Sequence, residues 1–229
     1  MIAIMIAMIT MMEFNISRII FSSTAAVYGN VEGGVAFEFS ETNPISVYGS
    51  TKLDAEEILN SYIDSGKING VSLRYFNVVG ADTPQLRDTS NSNLFPIAMN
   101  DLRAQKAPKV FGHDYPTSDG SCIRDYVHVQ DLADAHIAAM KFVEESDPGF
   151  TAINIGTGSG TSVYEVLEMI QDVTGISIEP IVGQRREGDP PALVADVSLA
   201  KEILGWQSSR DLREIVSSAW DAWKLGHKQ

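Results

Sequence analysis

The chain is poor in cysteine, in histidine and in positive charge, and each shortage removes a class of function. Cys122 is the only cysteine among 229 residues, so no intrachain disulfide can form and a reducing compartment is compatible. The four histidines are His113, His128, His136 and His227. No two of them have metal-ligand spacing on one helix beside an acid, and no metal site is expected. Lys and Arg total 17 against 30 Asp and Glu, for a net charge of −13. That balance argues against nucleic acid as a partner, because phosphate binding needs clustered Lys and Arg. Long hydrophobic runs are also lacking. The start, "MIAIMIAMITMMEF", stays apolar for twelve residues before Glu13 interrupts it, and a membrane span needs about 20. It lacks a basic region and a small-residue cleavage site, so it does not read as a signal peptide. The expectation is a buried helix ahead of a strand, in a cytoplasmic protein with no membrane partner. Such a helix would normally sit under earlier structure. No internal repeat or low-complexity tract occurs.

Apolar content of 44% with 21% charged residues describes a globular chain. Short apolar runs alternate with longer helical patterns. "RIIFSSTAAVYG" reads as a buried strand and "GVSLRYFNVVG" as a second one; residues 30–43 between them read as a loop. A long helix is expected from Pro44, with Val47, Leu53, Ile58 and Leu59 on its apolar stripe and Gly66 at its end. "NLFPIAMNDLRAQ" reads as a helix and "PKVFG" as a strand. "RDYVHVQDLADAHIAAMKFVEE" reads as a strand turning helical near Gln130. "AINIGTG" reads as a strand, "SVYEVLEMIQDVTG" as a helix and "SIEPIVG" as a strand, and two closing helices follow. Alternation of this kind predicts an α/β fold built on the latter part of a doubly wound parallel sheet, followed by a smaller mixed domain.

One stretch imitates a dinucleotide loop. In "INIGTGSGTSVYEV" the glycines Gly156, Gly158 and Gly160 follow G-x-G-x-G, whereas the dinucleotide turn is G-x-G-x-x-G, each glycine having its own steric task. Ser162 and Glu165 instead fit a capping box, and the stretch reads as a structural helix start.

A second stretch, "NPISVYGSTK", sets Tyr48 four residues before Lys52. Seven tyrosines and eight lysines would give ~0.24 such spacings by chance, so the bare motif is weak. Its place on a helix makes it stronger, since positions i and i+4 share a face. A nearby ammonium favours phenolate over phenol, as a general base requires. Ser22, Ser23 and Thr24 end the preceding strand and could bring hydroxyls to the same point. By these features alone the pair is either catalytic or coincidental.

An ordered series of blocks decides between them. "SSTAAVYG", "NPISVYGSTK", "RYFNVVGA", "VFGHDYPTSDGSCIRDYVHVQDLADAH", "INIGTGSGTSVYEV" and "RREGDPPALVADVSLAKEILGW" occur in that order. Together they resemble the UDP-glucose 4-epimerases, a branch of the extended short-chain dehydrogenases/reductases, from about Ser17 to Trp223. Related dehydratases typically carry an Asp-Glu pair where this chain has Ala25-Ala26.

The resemblance implies NAD as cofactor, a UDP-sugar as substrate and a homodimer in the intact family. It implies a Rossmann-like NAD-binding part over 1–80, carrying the Tyr48–Lys52 helix. A smaller α/β nucleotide-sugar part over 81–229 follows, in which segments near 122–140 and 151–160 return to the first sheet. Tyr48, Lys52 and Thr24 would be catalytic, and Ser22, Tyr48, Lys52 and Phe76 would lie at the cofactor. The substrate would meet Thr24, Asn77, Asn93, Leu94, Val110, Phe111, Arg124, Arg186, Asp189 and Leu193, with Arg124 on the diphosphate, a task suited to a planar guanidinium.

Plainer readings stay open: Arg124 as a surface partner of Asp125, Asn77 as a loop cap, Phe111 as core. Leu193 replaces a tyrosine found in some relatives, which leaves UDP-N-acetylhexosamine and UDP-pentose 4-epimerases as alternatives. The family also begins with a strand, a G-x-x-G-x-x-G turn and a helix, and no such spacing occurs in these 229 residues. A non-catalytic nucleotide-sugar-binding fragment is therefore a further alternative, and the chain alone is expected to have little or no activity.

Overall fold

The computed structural model describes residues 2–63, 68–90 and 93–226. Gly66, the expected helix end, and His227 lie outside the described residues. In chain order the elements are α1 (Ile2–Glu13), β1 (Arg18–Thr24), β2 (Val35–Ala36), α2 (Val47–Ile63), β3 (Asn69–Tyr75) and β4 (Asn77–Val79). Then come α3 (Leu94–Arg103), β5 (Lys109–Phe111), β6 (Ile123–His128), α4 (Val129–Glu145), β7 (Phe150–Ile155) and β8 (Gly160–Ser162). The chain closes with α5 (Val163–Thr174), β9 (Ile181–Gly183), β10 (Ala192–Ala195), α6 (Ser198–Leu204) and α7 (Leu212–Gly226).

The predicted α/β architecture with parallel strands is present. One sheet has the order β1-β3-β7, all parallel, with Arg18 opposite Asn69 and Gly70 opposite Phe150. A second has the order β2-β10-β6-β4, also parallel, with β8 antiparallel to β6. β5 and β9 form a small third sheet. The expected single strand "GVSLRYFNVVG" in fact serves two sheets. β3 ends at Tyr75, the Phe76 amide still donates to the Ile155 carbonyl (3.0 Å), and Asn77 already pairs with Tyr126 of β6. The sheets part at Phe76, and a parting of parallel strands at their carboxyl ends leaves a crevice.

β3 is buried along nearly its whole length, as a central parallel strand should be. On one face lies α2, whose Leu59 and Ile63 pack with Ile68 and with Met8 and Met11 of α1. On the other, Ala135 and Ala139 of α4, Ala200 of α6 and Trp206 just after it pack against Val71, Leu73, Ile153 and Ile155. A separate core joins α3, α5 and α7 through Phe95, Met99, Leu167, Ile170, Ile215 and Trp223.

Several expectations need correction. α1 is not buried: only its Met8 and Met11 side is covered, and Ile6 is 58% exposed. Its residues are apolar all round, but α2 is the one helix against it, so one stripe is hidden. β1 is half-buried for a similar reason, because among the described residues it pairs with β3 alone. The loop at 30–43 contains β2. α2 starts at Val47 rather than Pro44, and Val47 is 85% exposed; its buried face is Gly49, Ala55, Glu56, Leu59 and Ile63. The strand in "SIEPIVG" is confined to β9, while β8 and β10 have no counterpart in the sequence reading.

Polar groups fix how α2 lies on the sheet. Arg74 of β3 and Glu56 of α2 are both buried, with Arg74 Nη2 2.5 Å from the carboxylate and Nε 3.1 Å from each oxygen. Ser72 donates to Glu56 (2.8 Å), and Arg74 Nη1 donates to the Tyr28 hydroxyl (3.1 Å). Tyr28 in turn donates to Asn154 of β7 (2.6 Å), whose amide reaches the Ala36 carbonyl (2.9 Å). Burial opposes the charge on Arg74, but its bonds to Glu56 and Tyr28 outweigh that and raise its pKa. A buried ion pair that loses one partner is strongly destabilising, because the remaining charge is uncompensated. Glu56→Ala should cost about 3–5 kcal/mol in chemical denaturation. The double change Glu56→Met with Arg74→Met should recover much of it.

His128 caps α4. Its Nδ1 accepts from the Gln130 amide (3.0 Å), so the proton of the neutral ring sits on Nε2, 2.9 Å from Ser218 Oγ on α7. Burial pushes its pKa down. A depressed histidine favours folding above its unfolded value of about 6.5, and that contribution is lost as pH falls below it. The melting temperature should therefore drop between about pH 7 and pH 5. His128→Asn keeps a capping acceptor and should flatten that drop in a thermal-melt series.

Candidate active site

A cleft of 790 Å³ opens where the two sheets part. Its inner wall is the Tyr75–Val79 run. One side is the end of β1 with the start of α2, and the other is β6, β10 and the loop before β10.

Tyr48 stands on the first turn of α2, 54% exposed, and lines this cleft. Gly49 beside it is required by close approach: a Cβ there would lie 2.4 Å from the Ala26 carbonyl oxygen. That fit brings the helix start against the loop after Thr24. Thr24 also lines the cleft, and its hydroxyl accepts from the Ala26 amide (3.2 Å). Lys52, one turn behind Tyr48, donates to the Ser22 carbonyl (2.7 Å) and lies 4.9 Å from the Phe21 ring centre and 5.8 Å from that of Tyr48. Burial lowers the pKa of its amine. Lys52 and Ser22 sit behind the cleft wall, and the Ser22 hydroxyl is engaged elsewhere, 3.1 Å from His136 Nε2 on α4.

Most of the other residues singled out in the sequence come together here. Phe76, Asn77, Asn93, Leu94, Phe111, Arg124, Arg186, Asp189 and Leu193 all line the cleft. Arg124 is ion-paired with Asp189 across it, not with its neighbour Asp125. Arg186 lies 4.0 Å over the Phe111 ring, a cation–π arrangement. The Asn93 amide donates to Asp88 (2.7 Å), and Leu193 of β10 stands opposite Arg124 of β6. Val110 is the exception: it is fully buried in the α3–α5–α7 core. Side chains alternate along a strand, so Lys109 and Phe111 of β5 face the cleft and Val110 faces away. That alternation was readable in "PKVFG" and would have exchanged Val110 for Lys109.

Tyr75, Cys122 and Tyr126 also line the cleft and were not singled out. Burial raises the pKa of Tyr75, the nearby Tyr48 adds to the rise, and Ser22 offsets part of it. Burial likewise raises that of the Cys122 thiol, whose Sγ is 3.7 Å from Asp189 Oδ2.

The glycine-rich loop serves another purpose. Asp125 is fully buried, and its carboxylate accepts from the amides of Thr157 (2.8 Å), Gly158 (2.9 Å) and Ala195 (3.2 Å) and from the Thr157 hydroxyl (2.6 Å). Gly156 is needed for this fit, since a Cβ would come within 2.5 Å of that carboxylate. The expected capping box is present, Ser162 and Glu165 exchanging bonds at the start of α5. The donors that could hold a phosphate already hold a side chain of the same molecule.

The fold and its cleft define a Rossmann-like α/β protein whose site lies at the carboxyl ends of parallel strands. The chain belongs to the NAD dependent epimerase/dehydratase family, whose model matches residues 2–156. It is similar to a UDP-glucose 4-epimerase of Rhizobium leguminosarum bv. trifolii, with 40% identity over 210 residues, covering 90% of this chain and 64% of that protein. Among solved structures it resembles the UDP-glucose-4-epimerase of Stenotrophomonas maltophila with bound NAD and formylated UDP-arabinopyranose. That match has a TM-score of 0.89 at 35% identity and covers 94% of this chain and 66% of that one. The enzyme of Bifidobacterium longum in complex with NAD+ and UDP gives 0.88 at 33% identity, covering 98% and 68%. The chain thus spans about two thirds of the length of these relatives.

Asp125→Ala would leave the amides of Thr157, Gly158 and Ala195 without an acceptor. The expected loss is about 3 kcal/mol of stability. Faster hydrogen exchange at Thr157 and Gly158 should accompany it.

Proposed function

We propose that this chain carries the catalytic base and the nucleotide-sugar cleft of a UDP-glucose 4-epimerase, an NAD-dependent isomerase that interconverts UDP-glucose and UDP-galactose. The observation that carries this reading is that Tyr48 and Thr24 line the same cleft as Arg124, Arg186 and Asp189. A phenol with an ammonium one helical turn behind it suits proton transfer to and from a sugar hydroxyl. Guanidinium groups in the same cleft suit a diphosphate.

Tyr48 would take the proton of the sugar 4-hydroxyl and later return it. Thr24 would hydrogen-bond the 4-oxygen, and Lys52 would hold positive charge behind Tyr48. Arg124 and Arg186 would anchor the diphosphate, with Asp189 toward the ribose, Phe111 toward the base, and Asn77, Asn93 and Leu94 between. Leu193, small and apolar, would bound the sugar pocket. NAD, when bound, would accept hydride from sugar C4 and return it to the opposite face. The residues present fit its nicotinamide end: Tyr48 and Phe76 border the cleft, and the desolvated Lys52 amine lies 5.8 Å from the Tyr48 ring centre. For its pyrophosphate, this sequence offers no G-x-x-G-x-x-G turn, and its one glycine-rich loop is filled by Asp125.

A second reading rests on that last observation: the chain alone binds UDP-sugar without holding NAD. The division at about residue 80, a homodimer of the intact protein and a cytoplasmic setting are part of the proposal. Among the described residues no helix is long and apolar enough to cross a membrane.

Calorimetry with UDP tests the cleft. Binding is expected, and Arg124→Ala should weaken it about thirtyfold. No binding of UDP would overturn both readings. NAD+ added with UDP-galactose separates them. Turnover that falls about 10²–10⁴-fold in Tyr48→Phe, with UDP affinity kept, supports the epimerase. UDP binding without NAD binding or turnover favours the second reading for the isolated chain.

A further inference from the structure

The sheet holding Lys52's anchor is sandwiched between two helices. Ile19 and Phe21 of β1 join the α2 side, and Ile20 joins the α4 side. Ser22 is bound from both layers. Its carbonyl accepts from Lys52 of α2 at 2.7 Å, and its hydroxyl lies 3.1 Å from Nε2 of His136 on α4. His136 is itself held, with Nδ1 2.8 Å from the Leu132 carbonyl one turn earlier. A carbonyl can only accept, so Nδ1 carries the proton of the neutral ring. Nε2 is then an acceptor, and the Ser22 hydroxyl must donate to it. The direction of every bond is fixed: Lys52 to the Ser22 carbonyl, the Ser22 hydroxyl to His136, and His136 to Leu132.

A side-chain bond to a helix packed on its face holds β1 at the residue whose carbonyl meets Lys52. We propose that His136 is a positioning residue: through the Ser22 hydroxyl it fixes the Ser22 carbonyl and hence the ammonium of Lys52 behind Tyr48. His136 is not among the residues that line the cleft. The proposal rests on the reading of Lys52 as Tyr48's partner. Its measurements use the chain without nucleotide, so the absence of turnover leaves them unaffected.

Nitrogen-15 NMR of the imidazole reads the first link in the unaltered protein. In the neutral ring the proton is expected on Nδ1, and Ser22→Ala should shift the Nε2 resonance. A proton on Nε2, or no response to Ser22→Ala, would overturn the proposal. Carbon-13 dimethyl-lysine NMR reads the second link. Burial depresses Lys52, so a loosened anchor should let water in and raise its proton affinity about threefold or more in His136→Ala. His136→Gln places a carbonyl oxygen where Nε2 stood and should restore the original titration, which loss of helix packing alone would not predict. An unchanged Lys52 titration in folded His136→Ala sinks the idea. Should that variant not fold, Ser22→Ala and His136→Gln carry the same comparison: titration shifted by the first and kept by the second supports the proposal, and any other pattern refutes it.

Discussion

The buried pair of Arg74 and Glu56 sets the geometry on which the rest depends. Tyr48, Lys52 and Glu56 follow one another at intervals of four on α2, so they lie along one strip of the helix. Fixing Glu56 to Arg74 and Ser72 fixes the rotation of that strip against β3. Lys52 then meets the Ser22 carbonyl, and Tyr48 stands at the cleft. The same guanidinium holds Tyr28, and through Asn154 it links the loop after β1 to β7. A charge pair in a core is weak support for stability by itself. Its larger effect here is directional, because a bidentate fork tolerates little rotation of its carboxylate.

The division of the sheets supplies the space that this geometry points into. β3 belongs to one sheet and β4 to another, with Phe76 as the single residue between them. Apolar walls and opposed charges meet there: Arg124 is paired with Asp189, and Arg186 is stacked on Phe111. Both arginines are occupied by groups that an anionic ligand could replace. That keeps the guanidinium groups oriented in the meantime and limits the ordering that binding requires.

Much of this was legible in the residues. The alternation of strands and helices gave the fold class, and the capping box marked the start of α5. The ordered motifs contain nine of the cleft residues singled out in the sequence, Tyr48 and Thr24 among them, and the resemblance added Asn93 and Leu94. What escaped reading has physical causes. Exposure depends on neighbours that a single segment does not reveal, so the apolar runs of α1 and β1 read as buried. Strands of two to four residues, such as β2 and β10, carry too little periodicity to stand out. Val110 and Lys109 were exchanged because strand alternation was not applied to β5. The partners of Arg124, Asp125 and Ser22 are 65, 32 and 114 positions away, and no local pattern encodes them.

Asp125 in the glycine-rich loop is a tethered competitor. An ion from solution must be present at a concentration that rivals the effective concentration of a group attached to the same chain, which reaches millimolar or more even for flexible tethers. Asp125 is held rigidly on β6 and needs no loop motion to engage. Free phosphate or nucleotide is therefore shut out of a place where backbone amides gather like a phosphate cradle. Anions are left to the arginines of the cleft, so the molecule sorts its ligands by having answered one of its own sites in advance.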